Sequence, residues 1–515
     1  MGAATRWWML GVTCLSVVVV NLDLTILNIA LPDISAALHA STRDLQWIVD
    51  AYTLPFAAVM LPAGTAGDRF GRKRLLLAGL AVFAAASAWC ALSSSAGELI
   101  AARAAMGLGA GIVFPLSLAV VSAGFTDSSR PRAIGILTAA VAAGLPLGPV
   151  LGGLLLQHFS WHSVFWVSVP AACVTLAAGA LLMPESRNPA APPPDAAGAL
   201  LAATAVTALA CGIISGPDYG WTAPSSWLPL AAAAALLAAF AAHERRTRHP
   251  LADRAMLADP RFTWGTIATA GVSVALFALL FTIPQYLQGV TGQGPASAGL
   301  RLLPLMGGLL IAGGAASPAA RAVGAARAVA AGLAVLTAGL AVLSQVHPNT
   351  GYAVVAAGLA LCGLGTSIAM ATATDGVMAA AGGDEAGAGA SVNAAARQVA
   401  GSIAVAALGS VLSASYTRAV SPALARLTAR QATAARSSIT QAAQLASQLP
   451  GGSALRAAAG TAFLRGMSLV MLSCAAITAA TALTSLRYLP QRPATSEAPA
   501  PRPPAARAIS PGARR

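Results

Sequence analysis

Charge is scarce in this chain. Of its 515 residues only 9% are Asp, Glu, Lys or Arg, against roughly a quarter in soluble globular domains, which excludes a water-facing enzyme built of several cores under a charged surface. Lysine is almost missing: Lys73 stands alone among 31 basic residues. The formal charge of +14 does not make a nucleic-acid binder, because the arginines are scattered between apolar blocks and gather on no single motif. Cysteine is sparse too. Cys14, Cys90, Cys173, Cys211, Cys362 and Cys474 lie singly inside apolar blocks without CxxC spacing, which leaves no disulfide framework and no metal site. The histidines sit at or near block ends and form no ligand set. No cofactor is expected, and no Walker string, nucleophile and base pair or large polar domain supports an enzyme or a receptor.

What the chain has is apolar length. Residues of the set AVILMFWYC make up 57% of it, in repeated blocks of about 20, the length that crosses a bilayer core as a helix. Blocks fall near 7–31, 46–66, 75–95, 98–121, 134–156, 163–183, 197–216, 226–242, 263–283, 299–316, 328–346, 351–373, 388–414 and 465–486. They predict an all-α polytopic membrane protein of fourteen spans. The first block is read as a span and not as a signal peptide, because thirteen others follow it. The opening MGAATR has neither Ser nor Thr at position six and so misses the myristoylation pattern.

An even count puts both termini on one side of the membrane. Arg6, the run 69–74, Arg130, Arg132, Arg187, the cluster 245–261, Arg321, Arg327 and the arginines from Arg487 onward all fall on that side, which marks it as the cytoplasm. Arg43 and the arginines of 418–465 fall opposite, the latter in or bordering a long extracellular loop, 417–463. That loop is rich in Ala, Gln, Ser and Thr, with Leu424, Leu427, Ile439, Leu445 and Leu449 as sparse anchors, and predicts a solvated helical hairpin. Residues 490–515 are rich in Pro and Arg and predict a disordered cytoplasmic tail.

A few charges interrupt the blocks themselves. Asp23 breaks VVVVNLDLTILNIALP and Asp50 breaks LQWIVDAYTLPF; a carboxylate in hydrocarbon costs several kcal/mol unless it is protonated or paired. With the N-terminus inside, Asp23 lies ~16 residues, about 24 Å, up the first helix. Asp50 and Arg103 each lie roughly 5 residues down helices that descend from outside, so the three share a depth and are placed to meet. A carboxylate beside a cation stays ionised and one left in an apolar site takes up a proton, so rearranging such a cluster couples shape to proton binding. Near the inner ends of the twelfth and thirteenth blocks, Asp375 and Arg397 make a second candidate pair.

Two strings carry more. Between the second and third blocks, Gly64, Asp68, Arg69, Gly71, Arg72, Lys73 and Arg74 form a tight glycine-bearing turn whose cations can reach an acid such as Asp127, a latch able to favour one access state. In the fifth block Gly135, Gly144, Gly148, Pro149, Gly152 and Gly153 read G-x8-G-x3-GP-x2-GG, a small-residue face with a kink that permits close helix packing.

These strings, with LDLTILNIALP at 22–32 and the arginine of LIAARAAMGLGAG, resemble the major facilitator superfamily, and more narrowly its fourteen-span drug:proton antiporters. WIVDAYTL around Asp50, AAHERRTRHPLADRAML after the eighth block and NAAARQVAGSIAVA in the thirteenth are similar to that branch, and the likeness spans residues 7–486. The resemblance implies a six-helix bundle at 1–185, two inserted helices and a linker at 186–262, and a second six-helix bundle at 263–489. It implies alternating access and export of lipophilic drugs or antibiotics in exchange for protons, across a bacterial plasma membrane. Asp23, Asp50 and Arg103 would then serve proton coupling or recognition of a cationic substrate, and Asp68 and Arg72 the cytoplasmic gate. The partners implied are a small lipophilic substrate, cations included, protons and the bilayer, for a chain acting as a monomer. Met106 departs from the family, which often has Gln there, as do His162 and Ser168, where Arg and Asn are usual. An uptake symporter of the same superfamily is the alternative; the GP-x2-GG string speaks against it.

Overall fold

The computed structural model describes residues 3–125, 129–187, 195–247, 254–313, 323–425, 427–450 and 452–490, and among these there is no strand. The expected all-α polytopic class is the class observed. The first part of the chain folds as α1 (Ala3–Leu38), α2 (Thr42–Phe70), α3 (Arg72–Leu92), α4 (Ala96–Gly124), α5 (Arg130–His158), α6 (Ser163–Trp166) and α7 (Ser168–Leu182). Next come α8 (Ala196–Tyr219), α9 (Pro224–Arg246) and the short α10 (Arg254–Ala258). The last part holds α11 (Pro260–Gln285), continued by a π turn at Tyr286–Val290, then α12 (Pro295–Leu300), α13 (Leu303–Gly313), α14 (Ala325–Ser344), α15 (Tyr352–Val420), α16 (Ala429–Ser437), α17 (Ile439–Gln448) and α18 (Ser453–Tyr488).

Eleven described helices are long and apolar enough to cross a membrane, or twelve if Thr42–Met60 and Pro62–Phe70, bent by 50°, count as one span. The bend follows from Pro62, which offers no N–H to the helix and crowds the preceding turn. Two of the eleven run through α15, Tyr352–Ala381 and Gly389–Leu424, the second continuing into a 3-10 turn at Ser421–Leu424. A Cβ added at Gly389 would touch Ala381, although eight helical residues span about 12 Å; the chain therefore doubles back between them. The expected blocks near 134–156 and 299–316 fall on α5 and on the shorter apolar stretch Pro295–Ile311.

Helices α1 to α7 pack as one half, α1 on α5 and α2 and α3 on α4; α11 to α18 pack as the other, around α15. The halves meet where α2 lies on α15, α5 on α12 and α1 on α11. Helices α8 and α9 pair with each other at the flank, and α8 also touches α2 and α15. Leu200, Trp227, Leu228 and Leu237 of this pair are exposed, as suits side chains that face lipid.

The hairpin α16–α17, expected to be solvated, has a buried inner face that includes Ala435, Ile439 and Ala442. It is tied to the first half by Ser35 Oγ to Ser438 Oγ at 3.0 Å, by Thr42 donating to the Ser437 carbonyl at 2.9 Å and by Gln441 donating to the Ala40 carbonyl at 3.1 Å. On the other side Tyr416 donates to the Ala435 carbonyl at 2.8 Å. The tail expectation for 490–515 falls, beyond its first residue, outside the described residues.

Candidate functional site

Where the halves meet they enclose a cavity of ≈120 Å³, walled by apolar side chains such as Phe56, Phe114, Leu276 and Phe277 and by Asn21, Thr25, Asn28, Thr53, Arg103, Arg397 and Gln398. A larger cavity of ≈510 Å³ lies at Tyr286, Arg301, Tyr352 and Arg456, lined by residues of the second half alone. The smaller one lies at the seam, is lined from both halves and holds Arg103 and Arg397, charges in otherwise apolar segments, so it is the candidate site.

Helices α1 and α4 bring Asp23 and Arg103 together at this cavity. Arg103 donates to Asp23 Oδ2 at 2.6 Å, with the side chains 1% and 0% exposed. Its Nε donates to the Ile48 carbonyl at 3.2 Å, and the guanidinium lies 4.2 Å from the centre of the Tyr52 ring. Charge, carbonyl and ring face together compensate a cation that a dry interior would otherwise exclude. Met106, in place of the family's amide, sets its sulfur 3.7 Å from Arg103.

Asp50 does not join that pair. It is fully buried beside the Ser402 hydroxyl, and among the described residues no cation pairs with it and neither carboxylate oxygen has a well-aligned hydrogen bond. Gln46, Asp50 and Thr53 fall at i, i+4 and i+7 on one face of α2. On that face Gln46 donates to the carbonyls of Val405 and Ala406 at 3.1 and 3.0 Å, and Thr53 bonds the Ser402 hydroxyl. Asp50 therefore sits between two hydrogen bonds that hold the halves together.

The glycine string of α5 has two faces. A Cβ at Gly144 would lie 2.9 Å from Asn21 Cβ, and one at Gly152 2.8 Å from Ile26 Cγ1, both on α1; at Gly148 it would strike Thr25. At Gly153 it would lie 2.8 Å from the Pro295 carbonyl of α12, beside which Gly299 closes on Pro149. Gly135 is open, with nothing within 4 Å.

At the turn between α2 and α3, Arg72 Nε is 2.7 Å from Asp68 Oδ1, and Gly71 takes φ 121, a value L side chains rarely adopt. Arg69 stacks loosely on Phe70, with 6.0 Å to the ring centre. Gly64 meets nothing within 4 Å. Asp127 lies outside the described residues. The acid that does meet this turn is Glu185, which sequence reasoning missed. It accepts from the Lys73 and Arg74 backbone N–H groups at 3.1 and 3.3 Å and lies 3.6 Å from Arg74 Nε, while Lys73 Nζ donates to the Ala180 carbonyl at 2.7 Å. The signal was present: P-E-S-R directly follows the sixth block, on the same side as this turn.

Asp375 and Arg397 are not joined. Asp375 is exposed, whereas Arg397 lines the central cavity with its Nε unpartnered among the described residues. No group of three or more His, Cys, Asp or Glu among the described residues is placed to hold a metal.

Comparison with known proteins gives a consistent picture. Residues 13–405 match the Major Facilitator Superfamily. The chain is 35% identical over 415 residues to the multidrug resistance protein Stp of Mycobacterium tuberculosis, covering 80% of this chain and 77% of that protein. It is 32% identical over 512 residues to the tetracenomycin C resistance and export protein of Streptomyces glaucescens, covering 96% and 94%. With the multidrug efflux pump LfrA of Mycolicibacterium smegmatis it shares 34% over 458 residues, 87% and 89%. Among solved structures, a bacterial homologue of the human lysosomal transporter Spinster, inward-facing and unoccupied, superposes with a TM-score of 0.66 at 16% identity over 96% of this chain and 100% of that one. A D-xylose-proton symporter gives 0.59 at 14% identity over 94% and 98%.

Proposed function

The chain belongs to the major facilitator superfamily, a family of membrane transporters and not of enzymes, and from that premise we propose that it exports lipophilic drugs or antibiotics from a bacterial cell by proton antiport through alternating access. The observation that carries this reading is Asp50. A buried carboxylate with no cation beside it, between the two hydrogen-bonded contacts of α2 with α15, costs several kcal/mol if it is ionised in a closed, dry seam. Closing the seam is thereby coupled to binding a proton, and opening it to water is coupled to releasing one. Asp23 and Arg103 form the neighbouring charge pair through which substrate binding can be felt. The turn at Asp68 and Arg72, with Glu185, is the latch on the side proposed to be cytoplasmic, where both termini lie. Export, as against uptake, is supported by the GP-x2-GG helix and by relatives named for resistance and efflux.

The test is substrate-induced proton movement in inverted vesicles, comparing the wild type with Asp50→Asn and Asp23→Asn across candidate drugs. Both variants are expected to lose drug-dependent proton release. Exchange at the wild-type rate in both would sink the coupling assignment, and accumulation of solute by right-side-out cells would favour the uptake symporter.

A further inference from the structure

The charge pair at Asp23 accounts for one of the two cations in the central cavity. Arg103 is compensated at 2.6 Å. Arg397, one helix away on the Gly389–Leu424 span of α15, is not: its Nε is buried without a hydrogen-bond partner, and so is the Nε2 of the adjacent Gln398, a residue 7% exposed. Both residues line the cavity, and no Asp or Glu lines it with them among the described residues. Two neighbouring N–H donors, one of them charged, thus look onto a shared space that holds no carboxylate among the described residues, and neither donor has a partner in it. Buried donors left in this way are costly unless something fills the role. The amide oxygens of Asn21 and Asn28, whose nitrogens donate to carbonyls of their own helix at 2.8 and 2.9 Å, accept from neither of these two donors. The remaining walls are largely aromatic and aliphatic, at Phe56, Phe114, Leu276 and Phe277.

We propose that Arg397 and Gln398 form the polar end of the substrate site and hold an anionic oxygen acceptor, a carboxylate or phenolate, carried on a lipophilic ring system. A guanidinium with a neighbouring amide offers such a group charge-assisted hydrogen bonds, while the apolar walls take the rings. A cation of the same skeleton meets an uncompensated positive charge instead. The cavity therefore selects lipophilic acids over lipophilic cations, which reverses the cationic option raised by the sequence. This assignment rests on the reading of the central cavity as the transport site; it does not depend on proton coupling.

Binding is measured by calorimetry on the full chain in nanodiscs of neutral phosphatidylcholine, with three probes sharing one ring: 1-naphthoate, 1-naphthylmethylammonium and 1-methylnaphthalene. The wild type is expected to bind naphthoate about tenfold or more tighter than the ammonium, and Arg397→Gln to weaken naphthoate by about tenfold while the uncharged probe changes by less than about twofold. Arg397→Lys keeps the charge without the planar fork and should fall between. No naphthoate binding by the wild type, equal affinity for the two ions, or a loss common to all three probes in Arg397→Gln would overturn the assignment. Should Arg397→Gln fail to fold, Gln398→Leu and the wild-type comparison of the two ions decide it. Proton release in inverted vesicles is read separately: a naphthoate preference without proton movement overturns the antiport reading and leaves this site standing, and proton movement without the preference does the reverse.

Discussion

Replacing Arg103 by methionine keeps the length and most of the volume of the side chain and removes its charge, leaving Asp23 buried with no partner. The pair is short, 2.6 Å, and its members are 1% and 0% exposed, so water cannot take over the lost contact. Breaking a buried pair from one side costs about 3–5 kcal/mol, whereas exchanging both members for neutral groups is often neutral or stabilising. The cation–π contact with Tyr52 and the bond to the Ile48 carbonyl vanish in either case, and they add about 1–3 kcal/mol together. Arg103→Met is thus expected to lose about 4–8 kcal/mol, and Asp23→Asn with Arg103→Met to recover about 3 kcal/mol or more of it. The assay is equilibrium unfolding of the purified full chain in mixed micelles, titrated with SDS, with refolding checked at each point. A loss below about 1 kcal/mol in Arg103→Met, or a double variant no more stable than the single, would show that the ion pair is not what compensates these charges.

Other outcomes follow from the same geometry. Gly153→Ala places a methyl group 2.8 Å from the Pro295 carbonyl, whereas Gly135→Ala meets open space; the first is expected to slow exchange by about tenfold or more and the second by less than about twofold, since close backbone approach needs the missing side chain. Comparable rates in vesicle assays would remove α5 from the moving interface. Ser35 and Ser438 stand with their hydroxyls 3.0 Å apart, so the pair Ser35→Cys and Ser438→Cys should cross-link on oxidation, stop exchange, and recover with reductant; full exchange in the cross-linked protein would mean that the proposed alternation does not separate these two residues. Met106→Gln gives Arg103 an oxygen where it now meets sulfur at 3.7 Å. It should raise stability by about 0.5–1.5 kcal/mol in the same SDS titration, and a loss instead would show that the sulfur fills space an amide cannot.

Much of this was legible in the sequence, and the limits have a common cause. Apolar block length gave the all-α class, and counting residues from the membrane edge placed Asp23 and Arg103 at one height, where they meet. The same count put Asp50 level with them and Asp375 near Arg397, and neither contact exists among the described residues. Height along a helix follows from residue number, but direction depends on how each helix is rotated, which is set by neighbours far along the chain. The periodicity of Gln46, Asp50 and Thr53 did hold that information, since three polar residues at i, i+4 and i+7 must share a face. For the hairpin the signal was weaker. Much of what ties α16 and α17 down is main-chain carbonyl, accepting from Thr42 and from Tyr416, and carbonyls are the same in every residue.

The glycines of α5 carry a mechanical consequence. Gly152 and Gly153 are consecutive, about 100° apart around the helix, and each is pressed by a different neighbour, Ile26 of α1 and Pro295 of α12. Rolling α5 to relieve one side drives the other into contact. The helix is clamped against rotation about its own axis, and the movement left to it under the proposed alternation is a tilt or a slide along its length.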